Sequence, residues 1–296
     1  MESIETVLLR QLTLTMKIVM FCSALVLATR PIRSSAFISH QAQTISRTSS
    51  ALKMSEATVS AVDIALNLSE VRDRIQAAAD KDTGRQNNVQ LVAVSKTKPL
   101  ELLQACYDEN QRHFGENYAQ ELIEKAALMP SDVSWHYIGT LQSNKANGLI
   151  KGVVPRAESL TIETVSTLKL AKKLNTAMQE FNDKTLNIFV QVNTSGEESK
   201  GGVEPNDVVA LCQEITESCD KLVLKGLMTI GAVGDLGCFD VLVECRAKVS
   251  DELGIDMDDL ALSMGMSGDF EEAIARGATH VRVGSTIFGA RDYSKK

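Results

Sequence analysis

The chain has 296 residues, 44% hydrophobic and 23% charged, with a formal net charge of −7. That length fills one large domain or two small ones and buries a substantial core. The acidic balance leaves no overall basic face to track nucleic acid, so that class of function is set aside.

Charge is unevenly spread along the chain. Glu2 and Glu5 are the only acids before Glu56, whereas Arg10, Lys17, Arg30, Arg33, Arg47 and Lys53 are all basic. Residues 18–28 (IVMFCSALVLA) form an apolar run behind Lys17. It falls short of the roughly 20 residues a membrane span needs, but suits the hydrophobic region of a signal peptide. The next stretch, 30–53, is rich in Ser, Thr and Arg and free of acids, which is transit-peptide composition. The order of hydrophobic core, SSAF and basic Ser/Thr stretch resembles the two-part plastid presequence of algae with secondary plastids. Residues 1–55 are therefore expected to be a plastid targeting segment. A mitochondrial presequence, a cytoplasmic protein and a misplaced gene start are the alternatives. Residues 56–296 are expected to form the folded domain, with no membrane segment of its own.

That domain opens with an amphipathic pattern over 60–80, with Ile64, Leu68, Val71 and Ile75 at spacings of four, three and four, and Gly84 as a helix stop. Short apolar runs then alternate with helical patterns. The runs are 91–95, 112–115, 135–139, 158–163, 187–193, 223–228, 261–265 and 280–284. Several are continuously apolar, as strands covered on both faces are. Eight strand–helix units in this length predict a single closed (β/α)8 barrel with an extra N-terminal helix, and a doubly wound open sheet is the competitor. The fourth run, SLTIE, is the weakest and reads almost as well as a loop. Cys106, Cys212, Cys219, Cys238 and Cys245 form no CxxC pair, which suits reduced, buried thiols rather than disulfides or a metal site.

In this fold functional residues sit at the C-terminal ends of the strands. Lys96 follows the first strand and shares parity with Val92 and Val94, which points it into the barrel mouth. A lysine desolvated there becomes a nucleophilic amine toward an aldehyde. Most lysines at strand ends are only solvated charges, and Lys98 is a nearby rival. The last two strands lead into Gly265, Ser267 and Gly268, and into Gly284 and Ser285. Paired glycine and serine loops there suit a phosphate, although each loop alone reads more readily as ordinary helix capping. Arg282 shares parity with Gly284 and offers a permanently charged donor. His136 has no partner at metal spacing and reads as a core histidine. Met228, Met264 and Met266 read as packing or as a soft pocket wall, and Glu197, Glu198 and Lys200 as a solvated loop.

Seven motifs then carry a resemblance. AVSKTKP (93–99), FGENY (114–118), WHYIGTLQSNK (135–145), QVNTSGEESKGG (191–202), GLMTIG (226–231), LSMGMSGDFEEAI (262–274) and VRVGSTIFGARDY (281–293) resemble, in order, the pyridoxal phosphate homeostasis protein family. The resemblance implies a barrel of the alanine racemase N-terminal type and pyridoxal 5′-phosphate as cofactor. It implies a Schiff base on Lys96, the phosphate held by Ser267, Gly284 and Ser285, Arg282 facing the pyridine nitrogen, and Asn117 near the cofactor. One departure stands out: Ser166 occupies the place of the family's usual Asp, which puts any role of that Asp in doubt. The function expected is a non-enzymatic carrier that holds pyridoxal phosphate in vitamin B6 homeostasis and delivers it to apoenzymes, as a monomer or weak dimer. The alternatives are a pyridoxal phosphate-dependent amino-acid racemase and a phosphate-binding barrel enzyme without that cofactor. Racemases of this fold take a second base from an appended domain, for which residues after the last strand leave no room, so the carrier is preferred.

Overall fold

The computed structural model of the chain describes residues 59–81 and 89–290. The targeting segment expected in residues 1–55, Cys22 and the Gly84 helix stop lie outside them.

Helix α1 (Ala61–Ala79) begins at Ser60, whose hydroxyl accepts from the Asp63 amide while the Asp63 carboxylate accepts from the Ser60 amide. This reciprocal pair satisfies two of the donors that every helix start leaves open. Ile64, Leu68, Val71, Ile75 and Ala78 form its buried stripe. Burying each of the large aliphatic residues contributes about 1.5–3 kcal/mol. The stripe covers later helices, named below, on the outside of the sheet.

Eight parallel strands then close in sequence order into a barrel: β1 (Gln90–Val94), β2 (His113–Glu116), β3 (Ser134–Tyr137), β4 (Ser159–Val165), β5 (Leu186–Gln191), β6 (Leu222–Met228), β7 (Ala261–Met266) and β8 (His280–Val283). The closed barrel settles the choice against an open sheet. Helices α2 (Leu100–Asp108), α3 (Ala119–Leu128), α4 (Ala146–Val153), α5 (Leu168–Met178), α6 (Val208–Ser218), α7 (Gly237–Leu253), α8 (Phe270–Ile274) and α9 (Ser285–Phe288) follow the strands in turn. The α1 stripe packs on α2, α8 and α9.

The strands build two cores. Outward residues such as Leu91, Ala93, Phe114, Trp135 and Ile162 pack against the helices. Inward residues fill the barrel. A Cβ on Gly115 would meet Val92 at 3.1 Å and Ile138 at 3.2 Å, so that layer admits no larger residue without displacement. β4 is a full strand of seven residues rather than a loop. Its sequence reads ambiguously because its inward side is polar: Thr161 and Glu163 alternate with outward Leu160 and Ile162. The five cysteines from Cys106 onward are all free and buried, and burial pushes the Cys106 and Cys212 thiols up to about 12. Thiols held protonated in this way are inert structural residues.

Candidate cofactor site at the barrel mouth

At the C-terminal end of the strands lies a cavity of about 240 Å³ bordered by Lys96, Ser267, Arg282, Gly284 and Ser285, with Val94, Ile138 and Met266 as apolar walls. Five of the six site residues expected from sequence therefore meet in one place. Asn117 is the exception, since it does not line the cavity. Its backbone is pressed against Gly139, where any Cβ would fall 2.2 Å from the Asn117 carbonyl oxygen, and its buried Oδ1 has no hydrogen-bond partner. A larger cavity of about 300 Å³ lies near Arg72, Gln111 and His113 at the opposite end of the barrel. The fold places chemistry at the mouth, so we take the smaller cavity as the site.

The two lysines after β1 are distinguished by their surroundings. Lys98 Nζ donates to the carbonyls of Phe288 (2.8 Å), Gly289 (3.2 Å) and Ala290 (2.8 Å), and so ties down the end of the described chain. Lys96 and Lys98 both border the cavity and both are half-buried, so what separates them is the set of chain-end carbonyls that Lys98 serves. The final loops are joined to each other: the Gly284 amide donates to Ser267 Oγ at 3.2 Å. The leading amides of α9 have no acceptor within the helix, which suits an anion. Gly268 faces open space where a Cβ would stand, which leaves room for a ligand at that loop.

Beneath the cavity runs a buried polar chain that sequence reasoning missed. Arg282 donates to Ser263 Oγ (2.6 Å) and to the Thr229 carbonyl (2.8 Å). Ser263 Oγ donates to Glu163 Oε2 at 2.6 Å. Glu163 Oε1 lies 2.6 Å from His136 Nδ1, and His136 Nε2 lies 3.0 Å from His113 Nδ1. Every partner is satisfied when His136 Nδ1 donates to Glu163 and one of the two facing nitrogens, His136 Nε2 or His113 Nδ1, donates to the other. His136 is thus a core residue, as expected, with a specific partner. Burial would raise the Glu163 carboxyl, but the His136 hydrogen bond and the charges of His136 and Arg282 outweigh it and hold Glu163 down at about 2. Burial pulls the Arg282 guanidinium below its usual range, opposed by Glu163 and Asp269.

Ser166 follows β4 half-buried and Thr167 caps α5, and neither lines the cavity. Met264 and Met228 are fully packed, Met266 edges the cavity, and Glu197 and Glu198 are exposed. No cluster of His, Cys, Asp or Glu able to hold a metal occurs among the described residues, and no helix among them is long and apolar enough to cross a membrane.

The barrel floor makes stability depend on pH. Burial, then the neighbouring His136, pulls His113 down to about 4 and His280 to about 3, from 6.5. The unfolded chain therefore binds protons first as pH falls below about 6.5, and the fold loses stability down to about 3. Glu163, lowered from 4.5 to about 2, adds a second loss below about 4.5. Glu116 acts in the opposite sense. Burial raises it from 4.5 to about 7, so protonation between those values favours the fold and offsets part of the histidine loss. Thermal midpoints should fall from pH 6.5 to pH 4, and His280→Gln should flatten the slope. A slope unchanged by that substitution would exclude His280 as its source.

The alanine racemase N-terminal domain family matches residues 66–292. The chain is 47% identical over 231 residues to the pyridoxal phosphate homeostasis protein of Schizosaccharomyces pombe, covering 76% of this chain and 92% of that protein. It is 44% identical over 244 residues to the human protein of the same name, covering 77% and 87%. Among solved structures it is similar to PipY of Synechococcus elongatus PCC7942 with pyridoxal phosphate bound, at a TM-score of 0.63 and 30% identity, covering 76% of this chain and all of PipY.

Proposed function

Because the chain belongs to the pyridoxal phosphate homeostasis proteins, within the alanine racemase N-terminal domain family, we propose that it binds pyridoxal 5′-phosphate at the barrel mouth, as a Schiff base on Lys96. The observation that carries this reading is the convergence of Lys96, the Ser267 and Ser285 loops and Arg282 on one cavity.

Bound there, the cofactor would supply an aldehyde within reach of the Lys96 amine and a ring that can accept electrons. The chain's own residues decide how far that chemistry goes. Ser267, Gly284 and Ser285 anchor the phosphate and fix the ring's register. Arg282, charged and held by Ser263 and the Thr229 carbonyl, donates to the ring nitrogen and gives it no proton. The electron-accepting power of the ring is weakened as a result. A reversible tether for carriage and release to apoenzymes fits that restraint better than racemisation, which needs an acid/base on each face of the substrate.

Borohydride reduction of the loaded protein, followed by peptide mapping, should place the label on the peptide containing Lys96. A label on Lys98, or none, would overturn the assignment. Turnover of an L- or D-amino acid that disappears with Lys96→Ala would favour the racemase reading instead.

A further inference from the structure

The residues on either side of Lys96 are held by a buried ionic cluster whose members do not line the cavity. Lys125, on α3, donates to the Ser95 carbonyl (2.8 Å), Glu116 Oε1 (2.7 Å) and Glu121 Oε1 (2.7 Å). Ser95 Oγ donates to Glu116 Oε1 at 2.6 Å, and the Thr97 amide donates to Glu121 Oε1 at 2.7 Å. Glu116 is fully buried and Lys125 is 7% exposed. Thr97 has a φ of +61°, a left-handed conformation that a β-branched residue adopts only when its surroundings impose it. One cation therefore grips the turn before Lys96 directly and the turn after it through Glu121.

We propose that Lys125 is a positioning residue for Lys96: by bridging the Ser95 carbonyl, Glu116 and Glu121, it holds the 95–98 turn in the form that presents the amine to the cofactor aldehyde. The proposal rests on the reading that Lys96 forms the Schiff base. In that step the two amine hydrogens and the aldehyde oxygen leave as water. Lys125 takes no part in the chemistry; it sets the geometry in which the C–N bond forms. A cluster serving only to bury charge has no need to force Thr97 into a strained conformation.

The test compares two ligands on the full chain: pyridoxal phosphate, and pyridoxamine phosphate, which has the same ring and phosphate but no aldehyde. Lys125→Met should weaken pyridoxal phosphate at least about tenfold, because small misplacements of a reacting group are costly. Pyridoxamine phosphate binding should stay within about twofold, since phosphate and ring contacts are untouched. In a Lys96→Ala background the same substitution should add no loss. Glu121→Ala, which releases the Thr97 amide at a partly exposed position, should show the same selectivity should Lys125→Met fail to fold. Equal losses for both ligands, loss for neither, or a further loss in the Lys96→Ala background would overturn the proposal. Wild-type and Lys96→Ala proteins that bind pyridoxal phosphate equally would instead overturn the Lys96 reading itself, and the proposal with it.

Discussion

Lys96→Ala is expected to abolish covalent retention of pyridoxal phosphate: the variant should lose the yellow colour of the loaded protein and retain no label after borohydride reduction. The phosphate loops and Arg282 remain, so weak, dialysable binding should persist. Its strength should be that of a few hydrogen bonds, each worth about 0.5–1.5 kcal/mol net, or up to about 3 kcal/mol where a charge is involved. Lys98 should not substitute. Its ammonium holds the carbonyls of Phe288, Gly289 and Ala290, and diverting it would leave three acceptors unmet near the chain end. Lys98→Ala should therefore lower stability while sparing the covalent label. A Lys96→Ala protein that kept the colour, or a Lys98→Ala protein that lost it, would reverse the assignment of the two lysines.

What the sequence revealed follows from which features are local. Strands such as β1 and β5 were legible because a strand buried on both faces is apolar at nearly every position, as Leu91–Val94 and Leu186–Gln191 are, bar the inward Gln191 and the half-buried Asn187. Lys96, Ser267, Arg282, Gly284 and Ser285 were candidates because the fold confines chemistry to strand ends, but position alone left Lys98 as a rival and the loops open to ordinary capping, and only the family motifs gave each residue a role. The network beneath was not. Glu163 and Ser263 are 100 residues apart and meet only across the closed barrel. A parity argument would have exposed Glu163, since an acid alternating with Leu160 and Ile162 must enter the interior and needs a partner. Lys125 gave a subtler signal: it shares the buried face of α3 with Leu122 and Ala126, where a lysine is rare unless paired. Its carboxylate partners were in plain view, Glu121 one turn away and Glu116 in the preceding strand. That it also grips Ser95 depended on how α3 lies over β1.

Glu163→Leu is expected to be among the most destabilising single substitutions in the barrel. Glu163 is the anion that balances Arg282 through Ser263, and both side chains are fully or nearly fully buried. Removing one member of a buried charged pair leaves the other uncompensated, at a cost of about 3–5 kcal/mol. The loss of an acceptor for His136 Nδ1 and Ser263 Oγ adds to it. Urea unfolding should show the midpoint shift with little change in slope, since the folded core keeps its extent. The double variant Glu163→Leu/Arg282→Met should recover much of the loss, because a matched apolar pair removes the uncompensated charge. A Glu163→Leu protein within about 1 kcal/mol of wild type, or a double variant no better than the single, would mean that water or another group carries the balance. The comparison also separates stability from cofactor chemistry. If Glu163 acts only by holding Arg282 in place beneath the ring, the single variant that still folds should weaken pyridoxal phosphate and pyridoxamine phosphate alike. A Lys125 variant should weaken only the first. The two ends of the bound ring would then be shown to rest on different supports, the aldehyde on the α3 cluster and the ring nitrogen on the barrel floor.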